Sequence, residues 1–332
     1  MKRTDPKFYI DFSDFMLEVY VIGYRVKGEA IVILFKENTR VFYSIVIDSY
    51  YKKHKKAITN CTEKILADNS VDIISMIVMS HPHEDHIKGM KELVDIHSND
   101  ETRFYYPARS FDIDSSTVKL KNNEKKLLKL VREKNKAKKT LSNCITVPDN
   151  YIPLRTLSLY DIDDTDEVSP LEIEINVLTP FSAINDDKAI NTTLDPNDLS
   201  ISILININEY YLFFGADTTN EHIMKLDRET LSGVKFVKIP HHASDTSNKL
   251  TQFFIQHQLD YACCTNYNVG SSHLPMTSVL KEYKNKARRV DVAGCASKDK
   301  KHGLYGELCY QFRLGPSGMR SSVNVDGVTE QI

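Results

Sequence analysis

Apolar positions in this chain gather into short runs bounded by turn residues, with only a few stretches at helical spacing. From Leu17 to Asp48 three such runs, Leu-Glu-Val-Tyr-Val-Ile, Glu-Ala-Ile-Val-Ile-Leu-Phe and Val-Phe-Tyr-Ser-Ile-Val-Ile-Asp, are broken by Gly23, Gly28 and polar residues 36–40. They predict three successive β-strands. Residues 51–69 predict a helix, and 71–79 form a nearly continuous apolar run of the kind buried on both faces of a sheet. That run leads directly into Ser80-His81-Pro82-His83-Glu84-Asp85-His86, after which Ile87, Met90, Leu93 and Val94 carry a helical period. Further strands are predicted at 171–178, 201–207 and 210–215, the last two joined by an Asn-Glu turn, with Asp217 where that hairpin ends. Thr218 or Thr219 is suited to cap a helix reaching Leu226. A strand over 234–239 then runs into Pro240-His241-His242-Ala243-Ser244, and 261–265, 290–293 and 308–314 read as closing strands, with a helix over 276–284.

Length and composition bound the class. At 332 residues, with 41% hydrophobic and 27% charged residues, the chain reads as globular, and we expect a single domain spanning 1–332. No apolar run approaches the roughly 18 residues needed to cross a bilayer, and the first residues lack the apolar core of a secretory signal. The expected location is therefore the cytoplasm, with no membrane partner. The six cysteines contain no CxxC pair, which fits reduced, buried thiols and argues against a cysteine-built zinc site.

The net charge of −2 hides a strong asymmetry. Between Val118 and Thr140 ten Lys or Arg face two Glu, whereas Asp161 to Glu174 holds seven carboxylates. Leu120, Leu127, Leu128 and Val131 give the basic stretch an amphipathic stripe, so 110–145 is expected to be a basic helical insertion. Lys125, Lys126 and Lys129 on its polar face are candidate contacts for the phosphates of a nucleic acid, although a solvated cover explains such a face equally well.

The candidate chemistry sits at 81–86. Histidines two apart on an extended loop project to the same side, and Asp85 and His86 at a helix start turn towards the same point. Imidazole nitrogens and carboxylate oxygens are ligands for zinc, manganese and iron, and catalytic sites leave coordination positions open.

His81-x-His83-x-Asp85-His86 after a buried strand resembles the HxHxDH motif of the metallo-β-lactamase fold, a set of hydrolases with a four-layer αββα sandwich and a two-metal site. Asp48, ending an Ile-Val-Ile-Asp strand, resembles the family's aspartate behind the metal ligands, and Asp217 in Phe-Phe-Gly-Ala-Asp resembles its metal-bridging aspartate. His242 or His241 matches the final histidine. Within the superfamily the chain is most similar to the branch holding the hydrolase domain of the DNA-uptake competence channel and phosphorylcholine esterase. The residues that carry this are Asn197-x-x-Ser200, His241-His242-Ala243-Ser244 and the hairpin from Val21 to Ile31 with Gly28-Glu29-Ala30. Ala243 stands where that branch has glycine, and Ala216 separates Gly215 from Asp217.

The resemblance implies an α/β metallo-β-lactamase sandwich and two divalent metal ions, zinc or manganese. It assigns His81, His83 and Asp217 to the first metal, and Asp85, His86, Asp217 and His242 to the second. No histidine occurs from 98 to 216 to complete the first site, which leaves Asn197 or Asp198 to approach its vacant side. His241 is then the non-ligand histidine acting with Asp85 and Asp217 in catalysis, although spacing leaves the reverse assignment of His241 and His242 open. His273 in Ser-Ser-His-Leu-Pro is a candidate substrate contact at the rim, beside the bland reading of a loop histidine. The expected activity is that of a metal-dependent phosphodiesterase, a nuclease acting on nucleic acid. The alternatives are a hydrolase of the same fold acting on a small molecule (cyclic nucleotide, phosphocholine ester, lactone or lactam), and a protein-partner-dependent effector subunit of a bacterial defence system.

Overall fold

The computed structural model describes residues 5–54, 57–108, 125, 127, 129, 133, 141–145, 152–162, 170–191, 195–294, 305–315, 318–327 and 329–332. In the first half of the chain the strands are β1 (Lys7–Ile10), β2 (Phe15–Tyr24), β3 (Glu29–Glu37), β4 (Arg40–Ile47), β5 (Lys52–His54), β6 (Ala57–Thr59), β7 (Met76–Val78), β8 (Arg103–Pro107), β9 (Leu141–Ile145) and β10 (Ile152–Asp161). Then follow β11 (Leu171–Val177), β12 (Ile203–Ile207), β13 (Tyr210–Phe214), β14 (Val234–Lys238), β15 (Leu259–Thr265), β16 (Tyr267–Val269), β17 (Ser272–Leu274), β18 (Ala287–Ala293), β19 (Tyr305–Gly315), β20 (Gly318–Gly327) and β21 (Thr329–Gln331).

Two large sheets dominate. One has the order β20-β19-β2-β3-β4-β7-β8-β9, the other β1-β10-β11-β12-β13-β14-β15-β18-β21. The strict two-residue period of a strand explains how they stack. In β2 to β4, Leu17, Val19, Val21, Ile31, Ile33, Ile45 and Ile47 enter a core shared with residues of the second sheet such as Ile173, Ile205, Leu212 and Phe236. The alternate residues Ile22, Ala30, Val32, Leu34 and Val46 enter a separate core with Cys61, Ile65, Leu66, Met90, Leu93 and Val94 from the helices Cys61–Asp68 and Met90–Ile96. The second sheet is covered by helices that include Ser182–Asn191 and Thr277–Lys286, whose Ile184, Val279, Leu280 and Tyr283 join its core. The result is a mixed α/β molecule with two face-to-face sheets between helices, which agrees with the expected sandwich.

Most predicted elements occur with shifted ends. The Asn208-Glu209 turn between β12 and β13 has φ of 49° and 64°, the left-handed geometry of a tight two-residue hairpin. The helix expected over 51–69 is shorter, Cys61–Asp68. Asn60 caps it by accepting from the Glu63 amide, and the preceding residues pair as the β5–β6 hairpin instead. The strand expected over 71–79 is confined to β7. Of the basic insertion, positions 125, 127, 129 and 133 are helical; Leu127 is buried against the helix-side core, while Lys125 and Lys129 are exposed. Lys126 and most of 110–140 lie outside the described residues. No helix among the described residues is long and apolar enough to cross a membrane.

Strand direction positions the site. β4, β7 and β8 run parallel in one sheet, and β13, β14, β15 and β18 run parallel in the other. Their carboxyl ends face a common edge, the place where parallel sheets open a crevice. The two sheets are tied there by the Ile201 amide, which donates to the Ser80 carbonyl oxygen at 2.9 Å.

Candidate metal centre

The clustered residues leave the ends of four strands, β4, β7, β13 and β14. Asp48 follows β4 in a left-handed conformation, φ 60°, which asparagine and aspartate tolerate better than other side chains. The bend turns its carboxylate inward. Oδ1 accepts from the Ser80 amide at 2.7 Å, and Oδ2 accepts from the Ser80 hydroxyl and from His86 Nδ1, 2.7 Å away. With Nδ1 engaged, His86 Nε2 points into the cluster and has no hydrogen-bond partner.

After β7 the chain delivers His81 and His83, whose Nε2 and Nδ1 stand 3.1 Å apart, so the two rings do converge. Asp85 and His86 lie on the short helix Glu84–Ile87. From the other sheet, Asp217 follows β13 and sits centrally. Its Oδ2 is 3.6 Å from His81 Nε2, and its Oδ1 is 3.6 Å from His86 Nε2 and 3.9 Å from His242 Nε2. His242 Nε2 is in turn 3.5 Å from Asp85 Oδ2.

His241 and His242 occupy a left-handed stretch with Ala243, φ 48°, 50° and 59°. Such backbone persists only where its surroundings hold it. Here the His241 amide donates to the Ala216 carbonyl, the Met276 amide to the Ala243 carbonyl and the Ser247 hydroxyl to the Pro240 carbonyl. Ala243, where the resembled motif has glycine, thus holds a backbone conformation that favours glycine. The reversal sends the two imidazoles to different places. His242 is buried among Asp85, Asp217 and His86; His241 is one-fifth exposed, with Nδ1 2.7 Å from Thr246 Oγ1 and Nε2 3.9 Å from Asp217 Oδ2. Asn197 Nδ2 lies 3.4 Å from His241 Nε2, on the one-turn helix Pro196–Leu199 that Asp195 caps.

The electrostatics match a cation site. Burial opposes ionisation of Asp217, but His86, His241 and His242 outweigh it and hold the carboxyl well below its ordinary range. Burial likewise opposes the charge on Asp85, but the adjacent His242 and His86 imidazoles prevail and lower it. Burial pushes His81 well down, with His86 adding to it, which favours the neutral, lone-pair-bearing imidazole. Among the described residues, two groups have donor atoms within 4.8 Å of one another: His81, His83 and Asp217, and Asp85, His86 and His242. A third, Asp48 with His81 and His86, meets the same distance, but both Asp48 oxygens are already occupied by Ser80 and His86. His86 Nε2, His242 Nε2 and Asp217 Oδ1 are buried without partners, and water-free burial of such atoms is costly. Nitrogen and carboxylate donors of this kind fit a divalent metal ion.

A cleft of about 440 Å³ opens onto the cluster. Asp85, Asp217, His241 and His242 form its floor, with Lys27, Tyr267 and His273 on its wall. Lys27 pairs with Glu84 at 2.9 Å, and the Tyr267 ring sits 5.3 Å from that of His242. Lys27 and Tyr267 line the cleft but are not named from the sequence: Lys27 lies in the resembled hairpin without a role attached to it, and Tyr267 lies in no motif. His273 stands on β17, with Nδ1 3.4 Å from Asn268 Oδ1. Lys125 and Lys129 do not line this cleft.

No family profile and no curated protein match the sequence. Among solved structures, the chain is similar to a diphosphatase of the PhnP family at 10% identity and a TM-score of 0.37, over 82% of this chain and 85% of that one. It is also similar to zinc-bound PqqB from Methylobacterium extorquens at 7% identity and a TM-score of 0.37, over 74% and 72%. Overlaps this loose say nothing about chemistry, which is carried by the cluster itself.

Proposed function

We propose that the chain is a metal-dependent hydrolase that cleaves phosphodiesters. The observation that carries this reading is the meeting of unpartnered His86 Nε2, His242 Nε2 and Asp217 Oδ1 beside His81, His83 and Asp85 at the floor of an open cleft. His81, His83 and Asp217 would hold one ion; Asp85, His86 and His242 would hold a second, with Asp217 between them. Bound there, a pair of divalent ions supplies an acidified water and neutralises charge on the attacking and leaving oxygens of an in-line displacement.

The chain's own residues do the rest. Asp48 and Ser80 hold the histidine rings in orientation. His241, kept out of the cluster by the left-handed turn and steadied by Thr246, presents Nε2 to the cleft, where it can hydrogen-bond a phosphoryl or leaving oxygen. Asn197 is placed to assist at the same point, Lys27 supplies a cation on the wall for the anionic substrate, and His273 adds an imidazole able to hydrogen-bond there.

Two features fit a small phosphodiester as substrate. The cleft has the volume of a small-ligand pocket, roughly 300–1,000 Å³, and Lys125 and Lys129 lie outside its lining. Nucleic acid remains the reading that the basic insertion supports. Incubating the zinc- or manganese-loaded chain with bis-p-nitrophenyl phosphate, cyclic nucleotides, plasmid, single-stranded DNA and RNA separates the cases. Cleavage of small diesters with loss of activity in Asp217→Asn is expected. Metal uptake with no cleavage of any phosphodiester would overturn the proposal and favour a partner-dependent role.

A further inference from the structure

Behind His242 lies a second chain of buried contacts that the chemistry above does not use. His242 Nδ1 stands 2.7 Å from Thr265 Oγ1, at the end of β15, and the Thr265 hydroxyl donates to Glu29 Oε2 at the start of β3. The other oxygen of that carboxylate, Oε1, is 2.6 Å from Lys238 Nζ on β14. Glu29, Lys238 and Thr265 are all at most 1% exposed. The ion pair therefore bridges the two sheets under the site, at a heavy desolvation penalty for both charges.

Proton accounting shows what this arrangement does. A threonine hydroxyl has one proton to give. An ionised carboxylate beside a lysine is an acceptor only, so that proton goes to Glu29, and the Thr265 oxygen faces His242 as an acceptor. His242 must then carry its hydrogen on Nδ1, which leaves the lone pair on Nε2 directed at Asp85 and Asp217. Without Glu29, Thr265 is free to donate to Nδ1, the hydrogen moves to Nε2, and the donor atom is blocked. His86 achieves the same end by a direct contact with Asp48; His242 has no carboxylate of its own at that distance.

We infer that Thr265 and Glu29, with Lys238 as counter-ion, are positioning residues that lock His242 in the tautomer able to ligate a divalent cation. The inference rests on the metal-hydrolase reading and deepens it, since it assigns a role to residues that touch neither metal nor substrate.

The test is cobalt(II) binding to the full chain, read by visible absorption and by competition with a chromophoric chelator, in wild type, Thr265→Val and Thr265→Ser. Valine keeps the shape and loses the hydroxyl; serine keeps the hydroxyl and loses a methyl. A positioning hydroxyl predicts 10- to 100-fold weaker cobalt binding in T265V, roughly the cost of removing a contact behind a metal ligand, and near-wild-type binding in T265S. A packing role predicts the reverse order, and wild-type affinity in T265V overturns the inference. Should T265V fail to fold, the nitrogen-15 spectrum of wild-type His242, assigned against His242→Ala, decides: hydrogen on Nδ1 supports the inference and hydrogen on Nε2 overturns it. A wild-type chain that binds no cobalt overturns the metal reading and this role with it, whereas wild-type binding with an indifferent T265V overturns this role alone.

Discussion

His86 Nδ1 lies 2.7 Å from Asp48 Oδ2, a contact between residues 38 positions apart that fixes the ring from behind and turns Nε2 towards Asp85 and Asp217. Asp48→Asn keeps the shape and removes the anionic acceptor. Metal affinity is expected to fall by about 10- to 100-fold, measured by zinc competition with a chelator, while the folded state is retained by circular dichroism. Unchanged affinity would mean that the contact is structural only.

Metal binding should also be visible as stability. A ligand that binds only the folded chain adds about 2.7 kcal/mol at 100 times its Kd. Adding zinc or manganese to the chelator-stripped protein is therefore expected to raise Tm by several degrees, and Asp217→Asn to abolish the rise. An equal rise in D217N would place the binding elsewhere.

The cleft wall and the exposed helix make opposite predictions. Lys27 lines the cleft and Lys125 and Lys129 do not. Lys27→Ala is expected to raise KM for a small anionic diester several-fold with little change in kcat, and Lys125→Glu with Lys129→Glu to leave both constants as they were. Steady-state kinetics at low and moderate salt would check this, since a contact to an anion weakens as salt screens it.

Far from the site, Glu18 and Lys36 form a buried ion pair at 2.6 Å, with Tyr20 and Gln311 also donating to the carboxylate. Burial raises the Glu18 pKa, but Lys36, Tyr20 and Gln311 outweigh it and hold the group below its ordinary 4.5. A lowered folded pKa means that the unfolded chain takes up the proton first. The stabilisation is thus complete above about pH 4.5 and is lost as pH falls through the folded value. Lys36→Met strands the carboxylate and is expected to cost about 3–5 kcal/mol in urea unfolding at pH 7. A cost near zero would show that water reaches Glu18.

Burial pushes the thiols of Cys61 and Cys309 up to about 12, so at pH 8 only about one in 10⁴ is thiolate. Iodoacetamide should label both readily in urea and barely in the folded protein, as mapped by mass spectrometry. Fast labelling of the native chain would contradict their burial.

The legible part of the site is the part that is local. His81, His83, Asp85 and His86 lie within six residues after an apolar run, and Asp217, His241 and His242 follow further runs; patterning puts them at strand ends, and the motif resemblance is what nominates them together as a site. Lys238 shows the opposite case. Its register between Phe214 and Cys263 buries it against Glu29, a partner on the facing sheet that no local pattern points to. Glu29 figures only in the resembled Gly28-Glu29-Ala30 hairpin, with no role attached, and Thr265 carries no local signal, because a hydroxyl or carboxylate at a strand end gains meaning only from what the facing sheet brings to it. The helix expected over 51–69 failed for a related reason: the Asn60 cap sets where it starts, and pairing of 52–54 with 57–59 takes the residues before it.

The succession of strands along the chain and the chemistry of the loop at 81–86 follow from short-range pattern, since side-chain alternation and turn chemistry act over a few residues. The fold alone sent His241 and His242 to different places, through three consecutive left-handed residues held by hydrogen bonds to the Ala216 carbonyl and the Met276 amide. It also joined Glu29 to Lys238 and Thr265, and left Lys125 and Lys129 off the cleft. Those outcomes depend on how two sheets dock, and docking is settled by packing between residues hundreds of positions apart.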